Sequence, residues 1–570
     1  MLAVGSPGVS RPADASGYAG GGSAAFESLI ASQRPGQYLV EIAAYKGGQA
    51  RSGGLSTLAD VPLADLPRSS GVSIGQITLR YADRHWVGAP VIDAVSPDGA
   101  LANAFYEGRI VAPLLMSRQM PLLPEEPRRV QRQFGAIEIA NGDGGLDTVL
   151  QSYAVDGRRV RVLFGPLMGR YGDFAVIADT LATGWEGDEL SVRLALRDQS
   201  YALDLPLQSN LYGGGGGADG NAELEGKPKP LAFGLVRNAT PVLVDPANLI
   251  FQVHDGAIEA IDDVFDRGAA LANSGDDAGD YAALVALSVA AGEYATCLSA
   301  GLFKLGSSPD GLITCDLRGD ADPDYADTLD LIALRILRDR AGLPSSVIVA
   351  STFAGVATLG GSLGFYLPHT ASPTTSEVMD TLLASVGGWW GASRDGRLRA
   401  GRLTDPGPRS PNLYLGIYDI LSIEPAPAPV PRWRQRATYA PNWTAQRGED
   451  LAASVTPARR QFLTELERAV AAADTVVKVR HLQALDPSPL PTLFDSAADA
   501  QSIVDYLLAL HSVDRQAFFV RVKRIGYQAD LQTVARVTYP RYGLQNGKNF
   551  AVIGIEENAQ AEETILKVWG

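Results

Sequence analysis

Residues 211–256 read LYGGGGGADGNAELEGKPKPLAFGLVRNATPVLVDPANLIFQVHDG and divide the chain. The five glycines at 213–217 have no side chain to restrict the backbone, and Lys227-Pro228-Lys229-Pro230 imposes an extended, non-helical path. Together they read as a hinge over residues 211–230. Apolar runs at 231–236, 241–244 and 250–253, punctuated by Asn, Asp, Pro and Gly, predict strands immediately after it. A glycine run near a lysine raises the question of a phosphate loop, because backbone amides cradle phosphate. The spacing excludes it: no Gly-Lys-Ser/Thr follows, no strand-to-helix transition surrounds the run, and each lysine is followed by proline.

Upstream of the hinge, partial alternation of apolar and polar residues predicts strands at 38–45, 72–81 and 134–140. The last of these ends in NGDGGLD, 141–147, where Asn141, Asp143 and Asp147 resemble part of a calcium loop. The closing Glu of such a loop is missing, so the segment reads as a tight turn. Asp156-Gly157 is a hairpin signal ahead of a strand at 160–164, and further strands fit 174–178 and 190–196. Residues 37–210 are thus expected to form a β-sandwich or barrel, preceded by a flexible arm over 1–36.

Downstream, 231–324 reads as a β-rich domain. Gly256 and Gly268 turn residues 258–271 towards a short hairpin although their propensity is helical. Ser308-Pro309-Asp310-Gly311 marks a second hairpin over 301–320. The period then changes. Leu329, Ile332, Ala333, Ile336 and Leu337 recur at helical spacing up to Gly342 and Pro344. Thr374 with Glu377 forms a capping-box pattern that opens a second helix, closed by Gly387-Gly388 and followed by a hairpin around Ser393-Arg394-Asp395-Gly396. These features make 325–424 an α+β domain. The stiff PAPAPVP of 425–431 marks a crossing into 425–570, which is expected as α+β. There, Ile503, Val504, Leu507, Leu508 and His511 share one helix face, and strands close the chain at 518–522, 534–537, 550–555 and 564–569. The fold class expected is mainly β with an α+β part, multidomain.

With 570 residues the chain exceeds one ordinary core. No apolar run approaches the roughly 20 residues of a membrane span, and residues 1–36 lack the basic and apolar regions of a secretory signal, so a soluble chain is expected. The two cysteines, Cys297 and Cys315, exclude a disulfide scaffold and a four-cysteine metal or cluster site. A net charge of -15 argues against tight nucleic-acid binding, which needs clustered Lys and Arg.

No catalytic constellation emerges. The five histidines, His85, His254, His369, His481 and His511, show no metal-ligand spacing, and neither a Gly-x-Ser-x-Gly elbow nor a cysteine nucleophile motif occurs. Acid pairs such as Asp262-Asp263, and the acids of 320–324, read as solvated turns among 64 acidic residues. Trp389-Trp390 is the one candidate ligand platform, for sugar stacking, although a pair between helix and hairpin also suits a core edge. No cofactor and no metal are expected, and the chain reads as a non-enzyme.

The segments GLFKLGSSPDGLITCDLRGD (301–320), SEVMDTLLASVGGWWGASRDGRLRAGRL (376–403), RQRATYAPNWT (434–444) and TYPRYGLQNGKNFAVIGIEENAQAEETILKVWG (538–570) resemble those of baseplate hub and distal tail proteins of long-tailed, siphovirus-type bacteriophages and prophages. The likeness follows most of 37–570 in order. It implies a structural virion protein at the tail tip, made in the host cytoplasm, with β-sandwich or barrel domains in a ring and an inserted α+β domain facing outward. It also implies a homo-oligomer, trimer favoured over hexamer, between the tail tube protein and the tape measure and tail fibre or tip proteins, with DNA passing through a weakly binding, acidic lumen. The alternative is a carbohydrate-binding or cell-wall-degrading tail protein using Trp389 and Trp390. The chain lacks the cysteines of tail-tip proteins that hold an iron-sulfur cluster. Asn238-Ala239-Thr240 and Asn442-Trp443-Thr444 fit the glycosylation pattern and are expected bare in a protein made in bacterial cytosol.

Overall fold

The computed structural model describes residues 24–32, 35–46, 76–90 and 101–570. Of the expected arm, residues 1–23 and 33–34 lie outside the described residues, as do 72–75 of the second expected strand. Strands hold 39% and helices 21% of the structure, which makes the fold mainly β. Within the span expected as an arm, Ala24–Ser32 is a helix. Phe26, Leu29 and Ile30 recur at helical spacing on it and are buried, with Phe26 edge-on to Phe164, ring centroids 6.4 Å apart.

The amino-terminal β part is one large antiparallel-dominated sheet whose spine runs Gln76–Ala82, Gly36–Lys46, Arg159–Pro166, Ala175–Gly187, Ser191–Arg197 and Ala136–Ala140. Alternation places Tyr38, Val40 and Ile42 in its core with Val160, Val162 and Phe164. The Asp156-Gly157 turn exists, with Arg158 N donating to Val155 O at 2.9 Å. It does not make the expected hairpin, because Tyr153–Ala154 and Arg159–Pro166 both pair with Gly36–Lys46 along the same edge. The expected single strand at 134–140 is two strands, Gln131–Phe134 and Ala136–Ala140, which join different sheets on either side of Gly135.

The middle β part stacks two five-stranded sheets. One runs Ala269–Ala270, Ile258–Asp266, Ile313–Asp320, Leu231–Ala239 and Gly364–Leu367. The other runs Val242–Asp245, Ile250–Gln252, Leu302–Leu305, Glu293–Cys297 and Ala272–Asp277. Residues 258–270 form the expected hairpin. The second expected hairpin, over 301–320, is instead a corner: Leu302–Leu305 and Ile313–Asp320 belong to opposite sheets. Phe303, Leu305, Ile313, Cys315 and Leu317 meet in one core between those sheets, so burial is satisfied without the two strands pairing.

The helical core forms as its periodicity predicts. Leu329–Arg335 continues through one wide turn, Ile336–Arg340, and Thr375–Ser385 opens with the full capping box. Glu377 N donates to Thr374 Oγ1 at 3.2 Å, and Thr374 N to the Glu377 carboxylate at 2.8 Å. Gly388–Ala392 and Leu398–Arg402 make the expected hairpin. Ala497–His511 buries Ile503, Val504, Leu507, Leu510 and His511; Leu508, expected on that face, is half-buried because Leu510 turns inward.

The carboxy-terminal sheet runs Leu413–Leu415, Val534–Val537, Lys548–Asn558, Glu563–Trp569, Ala517–Val522 and Ile420–Ala426. Its outermost strands are joined by only residues 416–419. Laid flat, six strands would set those edges about 24 Å apart at ~4.8 Å spacing, whereas that connection spans at most roughly 17 Å. The sheet therefore curls into a half-barrel around Val520, Val552, Phe550 and Leu566.

Candidate functional site

Two short strands from the amino-terminal half complete the half-barrel. Leu115–Gln119 pairs with Lys548–Asn558 in the register Gln119↔Gly554 to Leu115↔Asn558, and Gln131–Phe134 pairs with Leu115–Gln119. Met120 N continues the ladder onto Ile553 O at 3.0 Å. Because side chains alternate, Met116 and Arg118 point inward, while Ser117 and Gln119 join Gln131 and Gln133 on the outer face.

Arg118, 1% exposed, ends in a buried charge cluster at the meeting of three regions. Its Nη1 lies 2.7 Å from Asp530 Oδ1, and Arg394 pairs with the buried Glu557. Arg132 Nη2 donates to Ser393 O at 3.0 Å, and Arg394 Nη1 donates to Ile177 O at 3.2 Å. Burial pushes the Asp530 carboxyl up to about 7, and the Glu557 charge adds to the rise. The Arg132 and Arg394 guanidiniums thus tie the amino-terminal sheet, the 388–402 hairpin and the half-barrel together by charge-assisted bonds to Ser393 O and Ile177 O, and Arg118 adds an ion pair with Asp530.

Outside this cluster the strand registers align side chains in rows. One row is Gln133, Ser117, Glu556, Ile565 and Arg521; the next is Gln131, Gln119, Gly554, Lys567 and Phe519. The rows floor a groove of about 420 Å3, continuous with a second of about 250 Å3 through Ser117, Gln133, Glu556 and Ile565. The far end of the same outer face is closed: Ala551, Ile553 and Trp569 pack there against Trp389, Leu510 and Met120. The residues lining the open end include amides, paired charges and apolar walls.

The residues singled out in the sequence lie elsewhere. Trp390 is 0% exposed, its Nε1 donates to Asp380 Oδ1 at 2.6 Å, and the Arg129 guanidinium covers the ring; Trp389 is 8% exposed. Neither ring shows a face to solvent. Asp143 accepts a bidentate bond from Arg109 at 2.7 Å, and Asn141 accepts from Leu146 N at 2.8 Å, closing the 141–147 turn on itself. Asp262 pairs with Arg318 at 3.0 Å. Asp320 is buried with Arg335, Arg340 and His254; burial alone would raise its carboxyl, but His254 and the two arginines hold it below the usual carboxylate range. Among the described residues, no group of three or more His, Cys, Asp or Glu is placed to share a metal ion, and no helix is long and apolar enough to cross a membrane. The two glycosylation patterns are buried against each other: Asn238 Nδ2 donates to Asn442 Oδ1 at 2.7 Å and the Thr240 and Thr444 hydroxyls lie 2.8 Å apart.

No protein-family model matches the sequence, and no curated protein matches it. Solved structures do. The 43 kDa tail protein of prophage MuSo2 from Shewanella oneidensis aligns over 82% of this chain and 96% of its own, at 10% identity and TM-score 0.34. The tail protein from Neisseria meningitidis MC58 aligns over 82% and 93%, at 10% identity and TM-score 0.36. A chain of the virion of a native gene transfer agent particle aligns over 60% and 84%, at 15% identity and TM-score 0.39. The chain is similar to tail and virion proteins. At these identities and TM-scores the likeness carries no functional argument by itself.

The groove escaped sequence reasoning. LMSRQ and QRQF show strand alternation, but nothing in either marks a partner strand more than 400 residues away.

Proposed function

We infer that this chain is a structural virion subunit of a phage-type tail tip, a baseplate hub or distal tail component that joins the tail tube to tail-tip proteins and encloses part of the DNA-ejection channel. The observation that supports it best is the shared half-barrel. Strands from residues 115–134 and from 413–569 make one sheet, so the β-rich parts on either side of the helical core are joined as one load-bearing body, which a ring subunit needs. The ordered resemblance of segments 301–320, 376–403, 434–444 and 538–570 to tail-tip proteins supports the same reading. Two β-rich portions per chain suit three copies presenting six similar surfaces to a sixfold tube; one portion per chain in the collar suits six copies. DNA passes without being gripped, because a negative lumen repels the duplex and leaves it mobile.

The test is purification of particles from the producing host, with copy number by mass and a reconstruction without imposed symmetry. Three copies at the tail tip support the hub and six the distal ring, while absence from particles overturns the reading. Incubating the protein with host peptidoglycan and surface polysaccharide tests the enzymatic alternative, and sustained cleavage overturns the structural one. Retention of duplex DNA by the assembled ring at physiological salt overturns the passive channel.

A further inference from the structure

The hairpin of Arg434–Tyr439 and Arg468–Ala473 leads into a segment that is largely exposed. Asp474 caps a short helix, Thr475–Arg480, by accepting from Val476 N at 2.9 Å, and Val477 is the residue that turns inward. The segment returns to the body where Leu485 N donates to Pro431 O at 3.0 Å. Held at both ends, it presents Val476, Val479 and Leu482 at 60%, 78% and 93% exposure. Val476 and Val479, three positions apart, share a helix face. Valine is a poor helix former, and water disfavours clustered aliphatics, so folding does not account for their placement. The cations set among them are free. Residues 475–485 carry Lys478 and Arg480 and no acid. Among the described residues neither takes part in an ion pair: the Lys478 ammonium lies 4.2 Å from the centroid of the half-buried Trp433 ring, and Asp486, next along the chain, is engaged by Arg434 and Arg436.

We propose that this tip docks on the surface of an anionic phospholipid bilayer, with Val476, Val479 and Leu482 entering the boundary of the acyl chains and Lys478 and Arg480 meeting the lipid phosphates. Three features favour a bilayer over a protein partner. The aliphatics stand out from the surface, and a fluid interface closes around a projecting side chain, whereas a protein must supply a matching pocket. Aliphatics and unpaired cations alternate along one short segment, which suits the apolar and anionic layers of a bilayer surface; the long stems of Lys and Arg let the charge stay among the headgroups while the valines go deeper. Trp433, beneath Lys478, is the residue type whose ring is at home at headgroup level. The net charge of -15 does not oppose the contact, because charges more than roughly 8 Å away are screened at physiological salt. The contact needs only this segment and does not rest on the tail-tip reading.

The experiment mixes the full chain, at physiological salt and up to millimolar lipid, with vesicles of phosphatidylcholine alone or of phosphatidylcholine with phosphatidylglycerol, and measures bound protein by sedimentation. Val479→Ser with Leu482→Ser removes the apolar tip, and Lys478→Gln with Arg480→Gln removes its charge. All four side chains are exposed, and circular dichroism checks that both variants are folded. Wild type is expected to bind the mixed vesicles and to bind those without anionic lipid roughly tenfold or more weakly. Each double variant is expected to lose a similar factor on the mixed vesicles. A wild type that ignores the mixed vesicles, the result expected if a protein covers the tip, overturns the proposal. So does equal binding to the two kinds of vesicle. Serine-variant binding equal to that of wild type overturns it as well, because the contact is then one of charge alone.

Discussion

Single residues hold the parts of this molecule together. Asn442 accepts from Asn238 and from Thr444 N, and its Nδ2 donates to the carbonyls of Phe462, Leu463 and Glu465. Asn442→Ala strands several buried groups at once, so a loss of about 2–4 kcal/mol is expected in urea unfolding, at ~1–3 kcal/mol per unsatisfied group. A loss near zero would mean that water replaces the lost bonds. Arg118→Met is expected to cost roughly 3–5 kcal/mol because it leaves Asp530 buried beside Glu557 without its cation, and adding Asp530→Asn is expected to recover much of that. If the double variant is no more stable than the single, the pair is not coupled. His511 sets an acid limit. Burial, with the Arg432 charge adding to it, pushes its imidazole down to about 3, so the folded state keeps it neutral while the unfolded chain binds a proton below the ordinary value of about 6.5. Stability from this group is present above that value and is lost as pH falls towards 3, at ~1.4 kcal/mol per pH unit. His254, lowered by burial and by Arg340, acts in the same sense. His511→Gln is expected to flatten the fall in urea midpoint between neutral and mildly acid pH, and an unchanged slope would remove His511 as its cause.

At the scale of elements, the glycine run shows how composition and environment divide the work. Residues 211–230 were expected to flex. In the structure Tyr212 is buried with its hydroxyl donating to Gln252 Oε1 at 2.7 Å, Gly214 N donates to Asp219 O at 3.2 Å, Gly216 N to Gly220 O at 2.7 Å, and Tyr212 N to Lys227 O at 2.9 Å. Gly214 and Gly216 have φ of 72° and 91°, which a side chain disfavours. Glycine is therefore used here for the shape of a closed loop. Gly214→Ala is expected to cost about 1–2 kcal/mol through that dihedral and its close approach to Glu225 Cβ at 2.8 Å. The amides of Tyr212, Gly214 and Gly216 are expected to be protected in hydrogen exchange. Exchange at the rate of an open linker would restore the hinge.

At the scale of the whole molecule, strand exchange couples distant parts of the chain. The hairpin of residues 115–134 lies in the half-barrel while the strands before and after it lie in the amino-terminal sheet, and Tyr38 and Tyr527 hydroxyls meet at 2.7 Å across the same junction. Pulling either sheet apart therefore exposes the Arg118 cluster. Thermal unfolding is expected to take the two sheets together in one calorimetric transition. Met120→Pro, which removes the donor to Ile553 O, is expected to split it in two. Two transitions in the unaltered protein would show that the sheets unfold independently.

What the sequence determined by itself was local. The capping box at Thr374, the helical spacing from Leu329 to Leu337, the turn at 393–396 and the strand alternation at 518–522 and 564–569 are written in neighbouring residues, because caps, periods and turns depend on contacts within a few positions. The tertiary structure alone decided which sheet each strand joined. Alternation at 131–140 marks strands but not the change of partner at Gly135, and the turn at 308–311 marks a reversal but not a corner between two sheets. Exposure was likewise a matter of tertiary packing: Trp389-Trp390 reads the same whether its rings meet solvent or the Ala497–His511 helix and the half-barrel, and only packing against those elements buried it. The groove shares this origin, since it exists only because a borrowed hairpin joins six strands that curl into a half-barrel.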